Sequence, residues 1–169
     1  MTRVLGAVLA GGRSSRFGSN KAAAMWNGQV LADHAAAALA PFVETVIGVG
    51  GENEVADLPR SDLGPLGGIA GALDHAARTG FGSVLTIACD MPHLPPALVE
   101  ALLWRAPSFC VDAPVVGHWP ASLGAGLVAR LAEGGRRSVH SWAEDVGALP
   151  VPTPVPLANV NTPADLAAL

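Results

Sequence analysis

Apolar residues along this chain fall into two alternating textures: short runs rich in valine, and longer stretches rich in alanine and leucine. Val4–Leu9 is a continuous apolar run of strand length, and Val43–Val49, Ser83–Ala88 and Phe109–Val116 share its character, so each predicts a buried strand. A shorter strand is expected over Glu54–Leu58. Helical patterns lie between the strands. They cover Val30–Ala40, ended by Pro41, then Pro65–Arg78, Pro95–Arg105, Leu123–Ala132 and Arg137–Ala143. Pro65 suits a first helical turn, and Gly67, Gly68 and Gly71 let that helix approach a strand or a ligand closely. Leu149–Leu157 carries alternating prolines, which put it on a sheet edge or outside the sheet. Thr162 reads as the N-cap of a last helix with Pro163 at its first position.

Strands that alternate with helices predict an α/β domain, with a mostly parallel central sheet covered by helices on both faces. Ligands of such sheets sit outside the carboxyl ends of the strands. Three loops fall there: Ala10–Lys21, Asp57–Gly68 and Cys89–Pro95. There is no internal repeat or linker, so residues 1–169 are expected to form one domain.

Composition narrows the class. Half of the residues are hydrophobic, yet no apolar run approaches the roughly 18–20 residues that cross a bilayer. The strand pattern begins at once, without the basic, apolar and small-residue regions of a signal peptide, so a cytoplasmic protein is expected. The net charge of −4 argues against nucleic-acid binding and fits a small ligand held by a local basic pocket. Cys89 and Cys110 lack metal-ligand spacing and read as buried small residues in a reducing compartment.

The basic pocket has an obvious candidate. Leu9 to Lys21 reads L-A-G-G-R-S-S-R-F-G-S-N-K, directly after the first strand. Gly11, Gly12 and Gly18 let backbone N–H groups approach an anion, and Arg13, Arg16 and Lys21 bring three of the chain's ten Lys and Arg to one place. A polyphosphate is the simplest ligand. The loop is neither a P-loop, since Ser19 and Asn20 separate Gly18 from Lys21, nor a dinucleotide fingerprint, since Gly11-Gly12 lack the required spacing.

Other candidates stand at the other loops. Asp90 projects from the end of the Ser83–Ala88 strand, either to hold a hard cation such as Mg2+ with substrate phosphates or to cap the following turn. Asp57 and Asp62 flank the approach to Gly64-Pro65-Leu66-Gly67-Gly68, where either could accept hydrogen bonds from a ribose or a base. Asn159 and Asn161 bracket Val160, so both amides face one way, though Asn161 and Thr162 also suit a turn and a cap. Arg136 and Arg137 form a second basic pair, fit for another anionic substrate or a solvated helix start.

Together, L-A-G-G-x-S-x-R-x-G-x-x-K at 9–21, D-L-G-P-L-G-G at 62–68, C-D-M-P at 89–92 and N-V-N-T-P-x-D-L at 159–166 resemble the molybdenum cofactor guanylyltransferases. The resemblance implies a three-layer Rossmann-like nucleotidyltransferase fold. It implies an enzyme that transfers GMP from GTP to the terminal phosphate of molybdopterin, with Mg2+, giving the guanine dinucleotide and pyrophosphate. By the same resemblance Leu9, Ala10, Gly11, Gly12, Lys21, Asp57, Gly64 and Asp90 match nucleotide-binding positions. Lys21, Arg16 and Asp90 match the catalytic ones, with Asp90 on the metal. Asn159, Asn161, Arg136 and Arg137 match positions on the pterin side. Transient contact with other molybdenum-cofactor proteins, and a monomer or weak oligomer, complete what it implies. Cytidylyl transfer to molybdopterin and a non-catalytic nucleotide-binding module are the competing readings. Phe17 replaces a usual methionine, and Asn20 replaces an acidic residue before the lysine. Gly48 replaces an asparagine near the nucleotide, so a polar contact is expected to be missing there. The connection from Val49 to Asp57 is too short for the usual helix.

Overall fold

The structure, a computed structural model, describes residues 2–10, 24–52 and 54–169. A six-stranded sheet runs through it in the order β4-β1-β5-β7-β6-β8. The strands are β1 (Val4–Leu9), β4 (Thr45–Val49), β5 (Ser83–Ala88), β6 (Ser108–Cys110), β7 (Gly117–Pro120) and β8 (Leu149–Val151). All neighbours are parallel except where β7 meets β5 and β6. A separate hairpin joins β2 (Met25–Trp26) to β3 (Gln29–Val30).

Two apolar layers clothe the sheet. Odd positions of β1, Leu5, Ala7 and Leu9, pack with α2 (Pro65–Thr79), α4 (Gly124–Ala132) and α5 (Val139–Asp145) around Trp119 and Trp142. Even position Val8 packs with α1 (Leu31–Leu39) and α3 (Pro96–Trp104). This is the period-two alternation of a strand buried on both faces. The first crossover runs from β1 through α1 to β4, and the second returns from β4 through α2 to β5 beyond β1. Opposite directions on opposite faces keep both crossovers right-handed. Among the described residues no helix is long and apolar enough to cross a membrane.

The expected first strand and the Ser83–Ala88 strand have the predicted bounds, and the helices agree within a residue or two. Three expectations differ. Phe109–Val116 is not one strand: the amide of Val116 bonds to the carbonyl of Ala113, and Cys110 N–H reaches back to Val116. Pro114 has no N–H to continue a ladder, so the run folds into a turn that starts β7. Glu54–Leu58 makes only a single bridge, Val55 with Val49, before Leu58 N–H turns to the carbonyl of Gly67. The β2–β3 hairpin was not expected, although Asn27 and Gly28, both with positive φ, are the signature of its two-residue turn.

The last helix, α6 (Pro163–Ala167), begins as expected. The Thr162 hydroxyl accepts from the Asp165 amide, and the Asp165 carboxylate accepts from the Thr162 amide. The proline-bearing segment supplies β8, one of the sheet's two edges, paired with β6.

Candidate functional site

Three parallel strands end side by side. Ala10 N–H donates to the Val49 carbonyl at 2.8 Å, and Cys89 N–H to the Leu9 carbonyl at 3.1 Å. The tips of β4, β1 and β5 therefore form one continuous rim. The chain leaves β1 towards β4 and leaves β5 the other way, so the topological switch point lies between Leu9–Ala10 and Cys89–Asp90. Open α/β sheets bind ligands in the crevice at that point. Leu9 is buried and Ala10 half-buried at its mouth.

On the α2 face, Asp57 forms the wall. Gly64 has φ +71°, a backbone state that favours glycine, and from it the chain enters α2 at Pro65. The first turn of α2 then lies against Asp57. A Cβ at Gly67 would stand 3.6 Å from Asp57 Oδ2, and one at Gly68 would stand 3.5 Å from Oδ1 and 3.2 Å from the Leu9 side chain. A Cβ at Gly71 would run into the carbonyl of Ala56. The glycines of this helix thus admit the Ala56–Asp57 backbone and bring the first turns of α2 close to the carboxylate.

That carboxylate is under strain of an electrostatic kind. Its Oδ1 is shielded from solvent and has no hydrogen-bond partner among the described residues. Burial pushes its pKa above the ordinary carboxylate range, and the charge of Asp62 adds to the push. The positive end of α2 offsets part of the cost. A shielded acceptor of this kind is satisfied by a water or by a hydroxyl or amino donor of a ligand.

On the other side stands Asp90, half-buried directly after β5. Its carbonyl accepts from Val160 N–H at 2.9 Å. That bond brings the C-terminal segment to the crevice: Val160 is fully buried, and Asn159 and Asn161 on either side are exposed. The backbone N–H of Asn161 itself donates to the Asp165 carboxylate at 2.8 Å. Among the described residues no group of three His, Cys, Asp or Glu could hold a metal. One aspartate oxygen donor does fit a hard divalent cation that takes its other ligands from substrate phosphates and water.

Arg137 Nη1 donates to the carbonyl of Asp62 at 3.4 Å, so the α4–α5 connection is tied to the Asp57–Gly64 loop. Asp62 itself has φ +65° and is exposed. Arg136 is exposed next to it. Gly11, Gly12, Arg16 and Lys21 lie outside the described residues.

Two features of the rim were not read from the sequence. The Trp26 ring lies 4.6 Å from that of His34 and meets His93 edge-on at 5.4 Å, which anchors the hairpin beside the segment after Asp90. Beside Gly48, where a polar contact was expected to be missing, stands the carboxylate of Glu54. Its only sequence signal is the glycine pair Gly50-Gly51 just before it.

Comparison with known proteins adds the relationship. Residues 6–148 match the MobA-like NTP transferase domain. A molybdenum cofactor guanylyltransferase of Rhodobacter capsulatus is 37% identical over 182 residues, covering 98% of this chain and 94% of its own. One of Rhizobium leguminosarum is 34% identical over 191 residues, covering 98% and 91%. In fold, molybdopterin-guanine dinucleotide biosynthesis protein A of Archaeoglobus fulgidus superposes with a TM-score of 0.75 at 24% identity, over 97% of this chain and 95% of that one. A nucleotidyl transferase of Methanothermobacter gives 0.70 at 20% identity, over 98% and 95%.

Proposed function

Because the chain belongs to the molybdenum cofactor guanylyltransferase family, whose domain is the MobA-like NTP transferase, we propose that it moves GMP from GTP onto the terminal phosphate of molybdopterin. The products are the guanine dinucleotide cofactor and pyrophosphate. The observation that carries this reading at the site is the unpartnered, buried Oδ1 of Asp57 beside the glycine-lined start of α2. It is the acceptor that a ribose or guanine donor would satisfy.

In the reaction, an oxygen of the molybdopterin phosphate attacks the α-phosphorus of GTP. The bond from that phosphorus to the oxygen bridging to the β-phosphate breaks, and pyrophosphate leaves with the electron pair. The attacking phosphate is largely ionised at neutral pH, so no general base is needed. The protein's task is to align two anions and oppose their charge. Lys21 and Arg16 would oppose it from the loop after β1, with Gly11 and Gly12 giving backbone access to the nucleotide. Leu9, Ala10, Asp57 and Gly64 would hold the nucleoside end. Asp90 would hold the divalent cation, which is proposed to be Mg2+ and, when bound, neutralises substrate phosphate charge. Asn159 and Asn161 would face the pterin from beyond Asp90, and Arg136 and Arg137 would draw its phosphate from the α4–α5 side. The protein is proposed to work as one domain in the cytoplasm, a monomer or weak oligomer that meets other molybdenum-cofactor proteins transiently.

Purified protein with molybdopterin, Mg2+ and either GTP or CTP tests the reading. Pyrophosphate release with GTP is expected, and release with CTP alone would favour cytidylyl transfer. Asp90→Ala and Lys21→Ala should each lose turnover by about 10²-fold or more while keeping the thermal transition of the parent. Normal turnover in either variant would remove that residue from the mechanism, and no release with any nucleotide would leave a binding module.

A further inference from the structure

At the tip of β4 the chain makes a tight reversal. Gly50 has φ +87°, and its N–H donates to the carbonyl of Val55 at 2.8 Å, while Val55 N–H donates to the carbonyl of Gly48 at 3.2 Å. The reversal swings Glu54 back over the strand it has just left. Its Oε2 accepts from Gly51 N–H at 2.9 Å. A Cβ at Gly48 or at Gly51 would occupy the place of that carboxylate. Two residues without side chains thus leave a seat, and an acidic group fills it.

The seat is on the rim. Gly48 is in register with Val8, one residue before the Leu9–Val49 pair, and Ala10 N–H bonds to Val49. Since Val8 packs on the α1 face, the Glu54 carboxylate lies on that face of the tips. Asp57 lies on the α2 face against Leu9 and Gly68. The two carboxylates bracket the ends of β1 and β4 from opposite sides.

A carboxylate is the wrong sign for the triphosphate, which the basic loop residues Arg16 and Lys21 suit. It suits a group with hydrogen-bond donors, and each of its oxygens can accept more than one bond. Among the nucleobases guanine offers two adjacent donors, N1–H and the 2-amino group, on its pairing edge. Cytosine and adenine present a bare ring nitrogen beside their amino group, which a carboxylate would repel. We infer that Glu54, held by Gly51 over Gly48, is the residue with which this chain reads the guanine edge of its nucleotide. The inference rests on the proposed use of GTP and names the specificity-determining group for it. It includes selection by repulsion, since the same charge disfavours cytosine and adenine.

Binding constants for GTP, ITP and CTP, each with Mg2+, test this on the full chain. ITP keeps N1–H and lacks the 2-amino group. The parent should bind GTP better than ITP and ITP better than CTP. In Glu54→Gln, whose amide oxygen can keep the Gly51 bond, GTP affinity should fall about ten- to a hundredfold, and the GTP/ITP ratio should collapse towards one. Glu54→Ala should show the same collapse. A parent that prefers CTP would overturn the guanylyl reading itself, and Glu54 with it. A parent that prefers GTP, with a GTP/ITP ratio unchanged in both variants, would overturn the role of Glu54 alone. Equal losses of GTP and ITP would make Glu54 a turn residue and overturn it too.

Discussion

At position 57 a carboxylate is kept where it works against the fold. Burial and Asp62 raise its pKa, so the folded chain binds that proton more tightly than the unfolded chain does. The linkage sign follows: the stability is fullest below the unfolded carboxylate value and is lost as pH rises through the folded value. At neutral pH the charge is therefore a cost. Asp57→Asn should raise the melting temperature at pH 7 and weaken GTP binding in the same protein. The gain should not exceed ~1 kcal/mol, because the half-exposed group is screened by solvent, and should vanish at a pH where Asp57 is protonated in both states. Melting curves of parent and variant across pH 3 to 7 decide it; a destabilised variant at pH 7 would contradict the cost. The sequence distinguishes Asp57 from Asp62 only by resemblance, and no pattern of residue types reveals which oxygen lacks a donor. That depends on where Gly67 and Gly68 come to rest.

His118 is the opposite case. Its Nδ1 donates to the carbonyl of Leu102 at 3.2 Å, so its Nε2 accepts from the Ser83 hydroxyl at 2.8 Å, and the ring is held neutral in the core. Burial lowers its pKa below the usual 6.5, against the smaller pull of the Leu102 carbonyl. The unfolded chain then takes up a proton that the folded chain refuses. Stability should fall as pH drops below the unfolded value and level off below the folded one. Urea midpoints at pH 7.5 and 5.5 should differ less in His118→Gln than in the parent. An equal acid loss in both would assign it to other groups.

At the scale of elements, α2 shows what its glycines are for. Its first turns run so close to Ala56 and Asp57 that Gly71 has no room for a methyl group. Gly71→Ala presses on a backbone carbonyl, which cannot swing aside as a side chain could. It should destabilise the chain by about 1–3 kcal/mol and weaken GTP binding through the displaced Asp57. Gly126 in α4 has open space around its Cβ position. Gly126→Ala should therefore stabilise by ~0.5–1 kcal/mol, the ordinary gain of alanine over glycine in a helix. Paired melting curves separate the two effects. The sequence places α2 well because Pro65 and the apolar spacing agree. It misplaces the strand at Phe109–Val116 because an apolar run does not say where it folds back. That is decided by Pro114 and by the pairing of Cys110 with Val116, a contact between residues of one run. The hairpin at Met25–Val30 has its turn signal in Asn27-Gly28, but strands of two residues carry no alternating pattern to flank it.

For the whole molecule, the alternating pattern was enough to predict the parallel sheet, and the position of the crevice follows from the strand order. Residues from four distant stretches serve one rim because β4, β1 and β5 are neighbours. What the pattern does not carry is the link between Val160 and Asp90, one backbone hydrogen bond across seventy residues of chain, or the bond from Arg137 to the Asp62 carbonyl. Such contacts depend on how the last segment lies over the finished sheet, and no local preference sets that.

The far edge of the sheet has a consequence for the company the protein keeps. Leu149 N–H points inward to Pro107, and the Val151 carbonyl points inward to Val111. Alternation then turns Pro150 and Pro152 outward, and neither has an N–H. The exposed border of β8 offers acceptors without donors, so a second chain finds no ladder to extend. Replacing both prolines by threonine should give that border two donors and raise light scattering on storage at high concentration, while the parent stays clear. By this device the sheet is closed to growth across β8, and a strand added by another copy would have to join at the opposite edge, β4.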